Sequence, residues 1–241
     1  NFTAELEDTA SAIIDISDNN YFFELKAEYA KEMVTGFIRL NGMTVGAIAN
    51  RTKVLDDNGK TTNQFEPVLT TDGCRKAASF VRFCDAFNIP ILTLTNVSGY
   101  KADVNEEKTI AKASAELTLA FADATVPKIN VIVGKAYGSA YISMNSKHIG
   151  ADFVFALPSA EIGMMDAELA ARIMYDGSSS EIIKEKAEAY ASLQNAALSA
   201  AKRGYVDNII EPETVRKHII YALEMLYSKY EDRPVKKHSS F

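Results

Sequence analysis

Residues 131–144 read Val-Ile-Val-Gly-Lys-Ala-Tyr-Gly-Ser-Ala-Tyr-Ile-Ser-Met, and the fold turns on how they are read. Apolar residues from Ile129 to Val133 predict a buried strand, Gly134 a tight turn, and the residues from about Gly138 a helix. Gly134, Ala136, Gly138, Ser139 and Ala140 leave the turn without bulk, so a ligand can approach the backbone. The first N–H groups of a helix have no internal acceptor and sit at the positive end of its dipole. They suit an oxygen that carries or develops negative charge. The stretch therefore predicts an oxyanion site made of main chain, although strand-turn-helix alone more often marks tight packing.

Before this stretch, Phe83-Cys-Asp-Ala-Phe-Asn-Ile-Pro90 parallels Phe121-Ala-Asp-Ala-Thr-Val-Pro127 with one residue missing. Each phrase leads from a helix into an apolar strand. The first strand, Ile89 to Thr95, runs out through Ser98-Gly99-Tyr100, and the second through Tyr137-Gly138-Ser139. A repeat near 40 residues implies stacked units. Stacking would bring the Gly99 and Gly138 turns to one cleft.

Further out, Asn19 to Lys31 reads as a helix-like run. Thr35–Leu40 and Thr44–Asn50 form a hairpin around Asn41-Gly42. Asp56 to Asn63 reads as an exposed loop, and a helix starts near Asp72 with Ala77, Val81 and Cys84 on one face. Another starts near Asn105, which can cap it. Beyond the central stretch come a strand from Asp152 to Leu157 and a small-residue turn from Ser159 to Met165. A helix follows through Met174, and the Met164-Met165 pair reads as core filler. Ser178 and Glu181 fit a capping box opening a long Ala-rich helix to Lys202. Val206 to Ile210 reads as a short strand. Pro212 opens a helix striped by Val215, Ile219, Ala222 and Leu226. Strands alternating with helices make the chain α/β. We take residues 1–241 as one domain, with 1–18 leading in and 231–241 a basic tail.

The 241 residues carry a net charge of -6 and 47% hydrophobic residues, an ordinary globular balance with no basic excess for nucleic acid. No run approaches the roughly 18 apolar residues of a membrane span. Asn1 to Asp8 lacks signal-peptide regions, and the cytoplasm is the expected compartment. Cys74 and Cys84, ten residues apart on one helix and so about 15 Å apart, cannot pair and read as reduced core thiols.

Seven phrases in order carry a resemblance: Phe22-Phe-Glu-Leu25, Gly36-Phe-Ile-Arg-Leu-Asn-Gly42, Val45-Gly-Ala-Ile-Ala-Asn50, Phe80 to Pro90, Lys135-Ala-Tyr-Gly138, Ser146-Lys-His148 and Arg203-Gly-Tyr-Val-Asp207. Together they resemble the C-terminal half of the carboxyltransferase component of biotin-dependent acyl-CoA carboxylases and decarboxylases. The resemblance implies a crotonase-like superhelix of ββα units, with two homologous halves building the site between subunits of a dimer. The first half chiefly binds acyl-CoA and the second biotin, so this chain is expected to be a fragment or one subunit of a split enzyme. Its implied partners are the CoA-binding half, a biotin carboxyl carrier protein and further copies of itself.

The implied reaction moves CO2 between N1 of biotin and the α-carbon of an acyl-CoA, and negative charge develops on the ureido and thioester oxygens. The resemblance places donors at the amides of Ser139 and Ala140, with Gly99, Tyr100, Gly138 and Tyr141 around the cofactor. Ile142 stands where the family varies with acyl length, and its bulk suggests a short substrate. Ser139 stands where Gly is usual, and Ser98 where Pro commonly precedes Gly99.

Other chemistries compete. Ser139 as a hydrolase nucleophile would need a base, yet His148 lies nine residues on, about 13 Å along a helix. A hydratase or isomerase would need a carboxylate, for which Glu161 and Asp166 are the candidates against simple capping or solvation. His148, His218 and His238 lack metal-ligand spacing. Lys147 and Lys236-Lys237-His238 could meet phosphate or the carrier, but solvated faces explain them more simply. A non-catalytic scaffold subunit is the remaining alternative.

Overall fold

A computed structural model describes residues 8–56 and 59–232. In chain order the elements are α1 (Thr9–Ile16), β1 (Phe22–Glu24), β2 (Met33–Leu40), β3 (Met43–Asn50), β4 (Lys53–Leu55), β5 (Thr61–Gln64) and β6 (Val68–Leu69). Then follow α2 (Thr71–Ala86), β7 (Ile91–Val97), β8 (Gly99–Tyr100), α3 (Ile110–Asp123), β9 (Lys128–Tyr137), α4 (Gly138–Ser143), β10 (Phe153–Ala156) and β11 (Glu161–Gly163). The last are α5 (Ala167–Met174), α6 (Ser180–Tyr190), α7 (Ala197–Lys202), β12 (Asn208–Ile209) and α8 (Val215–Met225).

The main sheet runs β1-β2-β3-β7-β9-β10-β12, with β11 added beside the far end of β9. Its first three strands are antiparallel and the rest parallel. Parallel strands covered on both faces carry apolar residues on both, which is why the sequence shows runs rather than alternation. Ile48, Ile91, Val97 and Ile132 face α2 and α3, packing with Cys84, Leu117 and Phe121. Val45, Leu92, Leu94, Ile129 and Val131 face α1 and α8, packing with Ile13, Val215 and Ile219. A Cβ on Gly46 would sit 2.5 Å from Cys84 Sγ, so glycine lets α2 lie close.

The predicted hairpin is present, and Asn41 and Gly42 both take positive φ, as a tight two-residue turn requires. Asp18 accepts from both turn amides and pairs with Arg216 of α8 at 2.6 Å. The Arg216 bond, then the Gly42 amide, hold its carboxyl below the usual range. Arg216 also donates to the Ile16 carbonyl at the end of α1. The opening segment is thus joined to the last helix. Cys74 and Cys84 are buried free thiols on α2.

Several expectations fail locally. Asn19 to Lys31 is not helical: β1 pairs with β2, and Asn19, Asn20, Lys26 and Ala30 take positive φ. Within Asp56–Asn63, Asp57 and Asn58 lie outside the described residues, while Thr61 onward forms β5 against β4. Asn105 makes no side-chain cap; α3 begins at Ile110 after a 3-10 turn whose Glu106 caps α2 through the Thr71 amide at 2.7 Å. Ser179, not Ser178, caps α6.

The long Ala-rich helix is also broken. A π turn at Ala191–Asn195 ends at Ala196, whose φ -60 and ψ 140 are extended because it bridges to Glu161. Asn195 Nδ2 anchors that break to the Met165 carbonyl at 3.0 Å. Met164 is not core filler but 76% exposed. Residues 233–241, including Lys236, Lys237 and His238, lie outside the described residues.

Candidate functional site

The decisive stretch departs from expectation at Gly134. There is no turn there; β9 continues to Tyr137. Instead its register against β7 slips: Thr95 faces Ile132, but Val97 faces Ala136. Two residues on β7 thus span four on β9, a bulge centred on Gly134. The Asn96 carboxamide fills it, with Oδ1 accepting the Lys135 amide at 3.0 Å. A Cβ on Gly134 would lie 2.5 Å from that oxygen. Asn50, ending β3, accepts the Asn96 amide at 2.9 Å and donates to its carbonyl.

Gly138 then turns the chain into α4 at φ +58, where a Cβ would meet the Met164 carbonyl at 3.1 Å. Such a φ favours glycine. Tyr137 is the N-cap and supplies no side-chain cap, so the first-turn amides of Gly138, Ser139 and Ala140 have no acceptor within the helix. Ser139 is exposed and Ala140 buried. The far end of α4 is pinned from below: Asn130 Nδ2 donates to the Met144 carbonyl at 3.2 Å, and Asn130 Oδ1 accepts from the Thr93 and Thr95 hydroxyls. Asn145 Nδ2 donates to Thr93 Oγ1 at 3.1 Å.

The structure brings the two predicted turns together. Tyr100 Oη lies 3.2 Å from Ser143 Oγ, which donates to the Ser139 carbonyl at 3.1 Å. A Cβ on Gly99 would meet nothing within 4 Å, so open space borders that turn. First-turn amides with no acceptor inside α4, a glycine at the bend and this open flank fit a flat group presenting an oxygen, as a ureido ring does. Ile142 is half-buried. The Tyr141 ring, by contrast, packs inward, edge-on to His148, with its hydroxyl buried and unpartnered among the described residues. Burial raises that phenol well above its usual range.

The competing residues have structural duties. His148 lies against Tyr205 with ring centroids 4.7 Å apart. Lys147 pairs with Asp207 at 2.7 Å and donates to the Asp152 carbonyl. Asp166 caps α5 through the amides of Glu168 and Leu169. Glu161 accepts from the Tyr137 hydroxyl. Burial, then that carboxylate, pushes Tyr137 strongly upward. No group of three or more metal-binding side chains occurs among the described residues. Nor is any helix of the described residues long and apolar enough to cross a membrane. A cleft of about 340 Å³ beside the bulge is lined by Lys53, Asn96, Gly134, Lys135, Ser159 and Glu161. Sequence reasoning missed the Asn50–Asn96 bracket; its signal was a pair of carboxamides ending otherwise apolar strands.

Comparison with known proteins shows the family and the fold. Residues 6–241 match the carboxyl transferase domain model. A putative propionyl-CoA carboxylase beta chain of Bacillus subtilis is 41% identical over 99% of this chain and 46% of its own length. The methylmalonyl-CoA carboxyltransferase 12S subunit of Propionibacterium freudenreichii is 39% identical over 98% of this chain and 44% of its own. A crystal structure of transcarboxylase 12S, a hexamer with hydrolysed methylmalonyl-coenzyme A bound, superposes with a TM-score of 0.89. That match is 38% identical and covers 100% of this chain and 48% of that one. The chain spans about half the length of the curated relatives it matches.

Proposed function

Because the chain belongs to the carboxyl transferase domain family, we propose that it forms the biotin-side half of a carboxyltransferase site acting on a short acyl-CoA. The observation carrying this is the junction of the Gly99 and Gly138 turns, joined through Tyr100 and Ser143 across the bulge. When bound, carboxybiotin on its carrier supplies the carboxyl group, and charge develops on the ureido oxygen as that group leaves. The amides of Ser139 and Ala140 donate to that oxygen, fixed donors that need no reorganisation. Gly138 keeps side-chain bulk out of the approach. Tyr100 braces α4 through Ser143, while Tyr141 supports it from the core. Ile142 bounds a small acyl group, in line with relatives named for propionyl- and methylmalonyl-CoA.

The acyl-CoA itself would be held by the half of the relatives' chain that this sequence does not match. Support for such a partner lies beside the site. Met164, next to Gly138, is 76% exposed, and Leu169 and Ile173 of α5 are 51% and 63% exposed. None of α6 is buried. Large apolar side chains left open in this way mark a docking surface. Dimers of the complete pair would build the oligomer. The two free thiols support a reducing compartment, and the cytoplasm is the one proposed.

The test is Ser139→Pro in the reassembled carboxyltransferase. Proline is tolerated in a first helical turn and removes one donor. Transfer from the carboxybiotin carrier to propionyl-CoA should fall about 10²- to 10³-fold with the fold intact. Full activity from the folded variant overturns the oxyanion assignment.

A further inference from the structure

We propose that Asn96 is the positioning residue of this site: its carboxamide holds open the β9 bulge that aligns the Gly138 turn with the Gly99 turn. The inference rests on the function proposed above, but its physical content is a matter of register. The pairing of Val97 with Ala136 is the last between β7 and β9; two residues further on, Gly99 turns off to pair with Val68 of β6 and Gly138 opens α4. Without the bulge, the register of Thr95 with Ile132 would run on, and Val97, from which the Gly99 turn springs, would face Gly134 instead of Ala136. The two turns would then be displaced by two residues, roughly 6.6 Å along a strand.

Three contacts keep the bulge. Asn96 Oδ1 accepts the Lys135 amide, which would otherwise be an unsatisfied donor where ladder pairing is interrupted. The Asn50 carboxamide grips the main chain of Asn96 on both sides, acting as a short extension of β3. Gly134 leaves the space in which the carboxamide lies. Asn96 itself lines the neighbouring cleft, and its side-chain oxygen bonds the main chain of Lys135, so it acts through the backbone. Only its oxygen is used toward Lys135, so aspartate can replace it there while leucine cannot.

The experiment compares Asn96→Leu and Asn96→Asp. In 15N–1H spectra of this chain, the leucine variant should shift the amide resonances of Lys135, Ser139 and Ala140, and the aspartate variant should restore them. In the reassembled enzyme the leucine variant should lose about tenfold or more in kcat, with KM for propionyl-CoA within about twofold, and aspartate should recover most of the rate. Unmoved Ser139 and Ala140 resonances in Asn96→Leu overturn the proposal. So does an unchanged kcat when Ser139→Pro is inactive. If Ser139→Pro is instead fully active, the oxyanion reading fails, while shifted resonances still support Asn96's hold on the turn.

Should Asn96→Leu not fold, Gly134→Ala probes the same bulge from the other strand. Its methyl collides with the carboxamide, so it should shift the same resonances, and the double variant Gly134→Ala/Asn96→Ala should relieve part of the effect. Strictly additive shifts in the double variant count against the bracket.

Discussion

The Tyr100 hydroxyl lies 3.2 Å from Ser143 Oγ, so the segment after β7 is bonded to the helix after β9. Tyr100→Phe removes this bond but leaves Ser143 donating to the Ser139 carbonyl. Urea titration should show a loss of about 1 kcal/mol, the net worth of one hydrogen bond. Carboxyl transfer should fall less than tenfold. A loss as large as that of Ser139→Pro would mean that Tyr100 touches the reacting groups.

Gly138 and Gly99 should separate fold from function. Gly138→Ala places a methyl in the left-handed region and against the Met164 carbonyl, at a cost of about 1–2 kcal/mol for the φ alone. Gly99→Ala meets nothing within 4 Å and should leave stability within about 0.5 kcal/mol. Its methyl projects into the open flank, however, so transfer should drop more than stability does. Equal melting temperatures for the two variants would contradict this assignment.

The face around α5 should govern association. Leu169→Asp combined with Ile173→Asp removes apolar surface from residues already half exposed or more, so the isolated chain should keep its melting temperature. Binding to a separately expressed CoA-binding half should weaken at least tenfold in a titration. Unchanged affinity would move the docking surface elsewhere.

Burial pushes the thiols of Cys74 and Cys84 up to about 12. The thiolate is the reactive form. Neither residue should react with a disulfide reagent at pH 8 until the chain unfolds, and both should react together when it does. Stepwise labelling of the native chain would refute this.

Lys76 is only 1% exposed and donates to the carbonyls of Tyr29 and Ala30. Burial lowers its pKa from 10.5 to about 8. Between about 8 and 10.5 the unfolded chain therefore binds the extra proton, and stability from this group rises with pH. From about 9 upward the two thiols act in the opposite direction, since the folded state keeps their protons. The clean window is pH 8 to 9, where the slope is at most about 1.4 kcal/mol per unit. Denaturant titrations of Lys76→Met should lose that slope; an unchanged slope would assign it to another group.

The order of strands and helices was legible because apolar runs and Asn41-Gly42 act locally. So was the meeting of the two turns, through the repeat around Pro90 and Pro127. What escaped depended on distant partners. Nothing near Phe22 announces that it pairs with Ile38, so an apolar run there looked helical. Ala196 has good helix propensity, yet its bridge to Glu161 breaks the helix. Met164 looked like filler because sequence shows apolarity without showing what covers it. The bulge was invisible for a similar reason: Gly134 reads as a turn until Asn96 is seen occupying the room it leaves.

Arg216, near the end of the described chain, grips the Ile16 carbonyl and Asp18 near its beginning. During synthesis α1 must therefore wait for some 200 further residues to emerge before its partner on α8 arrives. Folding that depends on so distant a meeting is intrinsically slow. Until then α1 and the sheet face it shares with α8 lack their cover, which is when a nascent copy of this protein would have most need of a chaperone.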